Sequence, residues 1–583
     1  MRSLLKLYTG LKKYFLLILG AIALIYLQVR ANLALPTIMS RIVNNGIIPG
    51  DVNYIWQQGL LMLLISAGGI LSAISAQFLV SHVSMGLGRD IRSKLFKHIE
   101  TFSLYEFNKF GASTLLTRTT NDVVQIQRST QMLIMLFSNA VFTGIDSIIL
   151  AYKASPYLTR ILYVAIPAVA LTIIILINPI TKLFLLIQKE IDKINRVVRE
   201  NIMGVRVVRA FNKQEYEKKR FDKANLEVTD TYIRANRIIA IVMPVAMIIM
   251  NLTTVAILWY GAKGIDMGNT DLGAMVAFMQ YALMILISIV MLTMLFVMLP
   301  RAEAAAERVI EVLNTPIEIK DPEKPKQFTD RKGHIQFINV SFKYPGAEEP
   351  VLHDITFEAK PGEVVAILGT TGSGKSTLVS LIPRLYDVTS GQILVDGVDV
   401  REVLQEELRK RISYVPQRAI IFTGTVKENI RIGKPDATDE EIIESAKIAQ
   451  AHGFIERLPQ GYDTVISEGG TNLSGGQKQR ISIARGILRR GDIFIFDDCF
   501  SALDFKTEAK LRMALKDVVK DATMILVAQR VASVMNADKI IVLDEGRIVG
   551  IGTHKELMET SEVYREIVFS QLSEEDLVRE VLA

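Results

Sequence analysis

The sequence is poor in the residues that staple or ligate. Its one cysteine, Cys499, rules out any disulfide within the chain, and six scattered histidines offer no ligand spacing for a metal centre. The soluble part therefore belongs in a reducing cytosol. Only 22% of the 583 residues are charged, and the net charge of +6 is small for this length. That balance excludes disordered polyelectrolytes and argues against a dedicated nucleic-acid binder. Proline is scarce at 17 residues and glycine stands at 37 without a period, so collagen-like and low-complexity classes fall away.

What the chain has in abundance is apolar sequence, at 50% of residues. About 20 apolar residues cross ~30 Å of hydrocarbon. Six such runs occur near Phe15–Leu35, Leu60–Val80, Met132–Tyr152, Ile161–Ile180, Ile238–Tyr260 and Met275–Leu299. The first, preceded by Lys12 and Lys13, also fits a signal peptide, and is read here as a span. Segments 86–130 and 181–237 carry 7 and 14 Lys plus Arg, whereas the three other loops together carry four: Arg41, Lys153, Arg160 and Lys263. The positive-inside rule then places both termini in the cytosol of a cell bounded by this membrane.

The two basic loops are long and helical in pattern, so spans two to five are expected to continue into the cytosol as a stalk. Near the middle of each lies a short apolar-aromatic segment, Tyr105–Phe110 and Val205–Phe211, which either docks on another domain or merely caps its hairpin. Pro316, Pro322 and Pro325 interrupt a charged stretch after Leu313, which reads as a linker over 314–334. Residues 1–313 then form an all-α membrane domain. From 335 to 583 short β-branched runs alternate with amphipathic helices, predicting a soluble α/β domain. The tail Ser573–Ala583 reads as a short acidic helix, and no internal repeat is evident.

The run Val364–Leu368 leads into Gly369-Thr370-Thr371-Gly372-Ser373-Gly374-Lys375-Ser376-Thr377, which matches GxxxxGK[ST] between a strand and a helix. Glycines let successive N–H groups curl round phosphates, the helix adds its positive dipole end, Lys375 reaches the β and γ phosphates, and Ser376 can ligate Mg²⁺. Further on, Ile493–Asp497 is a buried-type strand ending in a carboxylate, where a second Mg²⁺ ligand is needed. Between them lie Val415-Pro416-Gln417 and Leu473-Ser474-Gly475-Gly476-Gln477, the latter opening a helix; Ser501-Ala502-Leu503-Asp504 follows.

In this order the motifs resemble those of the ATP-binding cassette family, and specifically bacterial exporter half-transporters with six spans fused to one nucleotide-binding domain. The resemblance covers nearly the whole chain and implies the type IV exporter fold, with ATP and Mg²⁺ as ligands. By it, Tyr344 would stack on adenine, Gly369, Thr371–Thr377 and Asp497 would hold the nucleotide, and Ser376, Gln417 and Asp497 would surround Mg²⁺. Ser474, Gly475, Gly476, Gln477 and Asp504 would contact the ATP held by a second subunit. A serine at a helix N-terminus followed by two glycines does offer N–H groups, a hydroxyl and a dipole to an anion. One copy of each motif implies a dimer, and the docking segments would be coupling helices.

Two positions depart from the family pattern. Asp498 stands where the family usually has Glu, shortening the reach to the attacking water by about 1.5 Å; a misplacement of ~1 Å can cost about 100-fold in rate. Gln529 stands where a His usually contacts the γ-phosphate, and an amide carries no positive charge. The pair resembles the degenerate-site subunit of heterodimeric multidrug exporters, implying a second half-transporter as partner and a small amphiphilic substrate crossing the lipid bilayer. An ATP-regulated channel or regulatory subunit, and a homodimeric lipid or peptide exporter, are the alternatives. Arg30 and Asp146 lie within spans, where charge faces a cavity or partner or else snorkels to an interface. Met284, Met291, Met294 and Met298 share one face of the last span, for ligand or for packing.

Overall fold

The computed structural model describes residues 2–328 and 332–571; the predicted tail helix lies outside them. The chain divides into two compact units, Met1–Glu100 with Gly111–Thr315, and Thr101–Phe110 with Pro316–Ala583.

The first unit is helical throughout. Among the described residues, five helical stretches are long and apolar enough to cross a membrane: Arg2–Ile47, Val52–Ile99, Ala112–Ala154, Gln214–Asp266 and Leu272–Asn314. The fourth expected span falls in one continuous helix, Pro156–Met203, apolar over Pro156–Thr172, with several side chains beyond that outside the described set. Val52–Ile99 has 48 residues, which at 1.5 Å each exceeds twice the hydrocarbon thickness, so the helix must project beyond the membrane. Asp51, Ser155 and Asp271 restart the chain after three turns by accepting bonds from Tyr54 N, Leu158 N and Ala274 N. Each satisfies an N–H group that a helix start leaves free. Arg30 and Asp146 face each other, with Nη1 and Oδ2 3.6 Å apart. Met284 packs against a core of Ile25, Val29, Leu33 and Phe278, while Met291 and Met298 are half-buried; the Met294 side chain is outside the described set.

The two docking segments differ. Leu104–Phe110 groups with the second unit, where Glu106, 1% exposed, accepts bonds from Ser103 N and Glu318 N. Val205–Ala210 stays with the first unit and buries none of its residues.

The second unit holds a six-stranded sheet ordered Arg547–Gly552, Lys539–Asp544, Val364–Gly369, Thr523–Val527, Ile493–Asp497, Ile412–Val415. All pairings are parallel except the first, and every residue of Thr523–Val527 and Ile493–Asp497 is buried. Continuous apolar strands of this kind belong in a sheet covered on both faces. Register pairs Val527 with both Ile367 and Asp497. The phosphate loop, Asp498 and Gln529 thus leave three adjacent strands at their carboxyl ends, where parallel α/β sheets bind ligands. A second sheet, Leu352–Ala359, Ile335–Phe342, Ser390–Val395 and Val398–Asp399, is antiparallel.

Candidate active site

The phosphate loop is built as its glycines require. A Cβ on Gly369 would lie 2.1 Å from the Leu543 carbonyl oxygen, so no side chain fits there. Gly374 has φ 98°, which only glycine adopts without strain. It caps the helix Lys375–Leu381, whose opening N–H groups follow directly on the loop. Lys375 is 7% exposed, and its Nζ donates to Gly369 O (2.8 Å) and Thr370 O (2.6 Å). Burial pushes its ammonium below the ordinary lysine value, while Asp498 and Asp497 oppose that shift. The Ser373 hydroxyl is buried with no hydrogen-bond partner among the described residues. A loop with an orphaned hydroxyl and a buried cation fits a phosphate chain.

Asp497 ends its strand 4% exposed; it accepts from Ser376 Oγ at 2.8 Å and from the Tyr414 hydroxyl at 3.3 Å. Burial raises its carboxyl above the usual range, against those two bonds. Burial also raises the Tyr414 phenol, so it stays a proton donor to Asp497. Ser376 and Asp497 present two hard oxygens side by side, a donor set suited to Mg²⁺, which keeps several waters and phosphate oxygens besides one or two protein ligands. When bound there the ion would neutralise phosphate charge.

Asp498 turns the chain with φ 45°, a left-handed conformation that Asp tolerates better than most residues. Its Oδ2 accepts from Gln417 Nε2 at 3.0 Å and from Gln529 Nε2 at 2.7 Å. The glutamine expected beside Mg²⁺ therefore rests on Asp498. Backbone bonds hold the arrangement from beneath, Asp498 N to Val527 O (3.1 Å) and Ala528 N to Ile367 O (3.2 Å). Gln571 grips the following turn, donating to Gln529 O and accepting from Val531 N. Thr371, Gly372, Gly374–Thr377, Gln417, Asp498 and Gln529 line a single cleft of about 220 Å³ with Val351 and Val527.

Tyr344 stands at one side of the loop. Its hydroxyl lies 2.9 Å from Thr377 Oγ1, and its ring meets Phe342 and Tyr386 edge-on. The residues expected to contact a second subunit's ATP, Ser474–Gln477 and Asp504, do not line this cleft. Ser474 caps the helix Gly475–Arg489 in a reciprocal box: Ser474 Oγ accepts from Gln477 N, and Gln477 Oε1 accepts from Ser474 N. Gly475 has open space around its Cβ position, and a Cβ on Gly476 would lie 3.2 Å from Ala502 O. Asp504 caps Phe505–Val518 by accepting from Thr507 N, and hydrogen bonds from the Thr507 side chain and backbone hold its carboxyl below the usual value. Cys499 is buried, and burial raises its thiol well above the ordinary value, so it stays unreactive.

Sequence reasoning overlooked three residues: Tyr414 on Asp497, Tyr386 beside Tyr344, and Gln571 behind Gln529. Tyr414 lies three residues before Gln417 but nothing local marks its hydroxyl as part of the site; Tyr386 and Gln571 belong to no motif.

Fold and cleft together define a membrane-embedded ATPase of the phosphate-loop class. A family model for the ABC transporter transmembrane region matches residues 17–290, and one for ABC transporters matches 352–501. An uncharacterized ABC transporter ATP-binding protein of Mycobacterium tuberculosis is 44% identical over 545 residues, 93% of each chain. A putative multidrug export ATP-binding/permease protein of Bacillus subtilis is 36% identical over 82% of each. A bacterial Atm1-family ABC exporter, solved with ATP bound, superposes with a TM-score of 0.82 at 26% identity, over 97% of this chain and all of that one. The chain belongs to the ABC transporters; it is an ATP-hydrolysing exporter half-transporter, with its membrane domain followed by its ATPase domain.

Proposed function

We propose that this chain is the degenerate-site half of a heterodimeric exporter that moves amphiphilic compounds outward across the cytoplasmic membrane. The observation that carries this reading is the bonding of Asp498. A general base must reach within ~3 Å of the attacking water. Here the carboxylate is one carbon shorter than glutamate, and one of its oxygens already accepts from two amides. Gln529 supplies no charge to a γ-phosphate, so this cleft binds MgATP through Lys375, Ser376 and Asp497 and turns it over poorly.

The same chain keeps what a partner's site needs. Ser474, Gly475 and Gly476 open a capped helix of 15 residues, whose N–H groups and dipole suit the γ-phosphate held by another subunit. The exposed helix Val205–Ala210 is the natural docking element for that subunit. A relative whose name includes multidrug export supports an amphiphilic cargo.

The test is steady-state ATPase of the assembled transporter in lipid with Mg²⁺. Asp498→Asn should lower it only modestly, whereas Gly476→Asp should lower it strongly by setting a carboxylate against the partner's γ-phosphate. Loss of turnover with Asp498→Asn and its retention with Gly476→Asp would sink the degenerate-site reading.

A further inference from the structure

Between the helices Pro156–Met203 and Gln214–Asp266 lies a groove of about 550 Å³, larger than the nucleotide cleft and unrelated to it. Its polar side chains are segregated. Tyr157, Arg160 and Tyr260 stand at the end next to the Ser155 and Met267 turns, whereas Ala165, Ala168 and Ala256 form part of an otherwise apolar body. Thr253, the other polar lining residue, directs its hydroxyl to Ile249 O within its own helix. From Tyr157 to Ala168 the groove runs 11 residues along a helix, or about 16 Å at 1.5 Å each. Half of the ~30 Å hydrocarbon layer is about the same depth.

Charge decides what such a groove accepts. Arg160 is exposed and is the single charged residue of the lining. Among the described residues it has no acidic partner; its guanidinium lies 5.9 Å from the centre of the Tyr157 ring. Two tyrosines and a cation at the headgroup level, above an apolar trough one leaflet deep, are complementary to a molecule with an anionic head and an acyl tail.

We propose that this groove binds one anionic phospholipid of the surrounding leaflet, its phosphate on Arg160 and an acyl chain along Ala165 and Ala168. The site is independent of nucleotide chemistry and of whether the transporter is a heterodimer.

The experiment is native mass spectrometry of the assembled transporter, released from membranes containing phosphatidylglycerol and phosphatidylethanolamine. Wild type should retain phosphatidylglycerol in preference to phosphatidylethanolamine. Arg160→Gln should reduce that retention about fivefold, the effect of one cation near a membrane surface. Arg160→Lys should keep most of it, separating charge from folding. Ala168→Phe should displace the lipid by filling the trough while leaving Arg160 in place. Equal retention of the two lipids by wild type, or unchanged retention in both Arg160→Gln and Ala168→Phe, would overturn the proposal. So would a photoreactive residue at Leu252, on the groove wall, that crosslinks to a second polypeptide and to no lipid.

Discussion

Two neighbouring carboxylates, Asp497 and Asp498, joined by a single peptide bond at the end of one strand, are furnished in different ways. At the phosphate end Asp497 receives hydroxyl bonds from Ser376 and Tyr414, and the buried Lys375 lies close enough to influence its ionisation. At the hydrolytic end Asp498 receives two amide bonds, from Gln417 and Gln529. The first set offers hard oxygens to MgATP, and the second ties up a carboxylate oxygen; the Lys375 cation interacts with both carboxylates. On the proposed reading, holding a nucleotide and cleaving it depend on different side chains, carried by adjacent positions at one strand end.

The sharpest way to break the contrast is at Lys375. Lys375→Ala removes a charge-assisted contact of ~1.5–3 kcal/mol, so ATP affinity at this cleft should fall about 10- to 100-fold. Equal labelling of wild type and variant by a photoreactive ATP analogue would contradict the phosphate-end assignment. A smaller effect is expected at Tyr414→Phe, which deletes one bond to Asp497 at 3.3 Å without changing the ring. Mg²⁺-dependent nucleotide binding should weaken a few-fold, as for one modest hydrogen bond, and binding without Mg²⁺ should not change. Titration with and without chelator reads both.

The smallest expected change runs the other way. Asp498→Glu combined with Gln529→His supplies the longer carboxylate and the ionisable ring that this end lacks. If a second site begins to turn over beside an existing one, ATPase of the assembled transporter should rise up to about twofold. No rise, with ATP still bound, would mean that something other than these two side chains limits the cleft.

The glycine loop, the apolar strand before Asp497 and the helix opened by Ser474 were legible in the sequence, as were the long apolar helices. Each is a local pattern: a turn that only glycine can make, a run of residues with no polar face, or a capping residue three positions before its partner. The departures at Asp498 and Gln529 were visible only against the family pattern that the resemblance supplied, where they differ in side-chain length and charge.

What those two residues touch was decided by the tertiary structure. Gln417 and Gln529 lie 81 and 31 positions from Asp498, and meet it because parallel register sets Val415 beside Phe496 and Val527 beside Asp497. The same holds for Tyr414 on Asp497, 83 residues away, and for the membrane-domain groove, whose Tyr157 and Tyr260 belong to two different helices. A hydrogen bond forms over about 3 Å. Sequence separation carries no information at that scale until strand register and helix packing have set the distances.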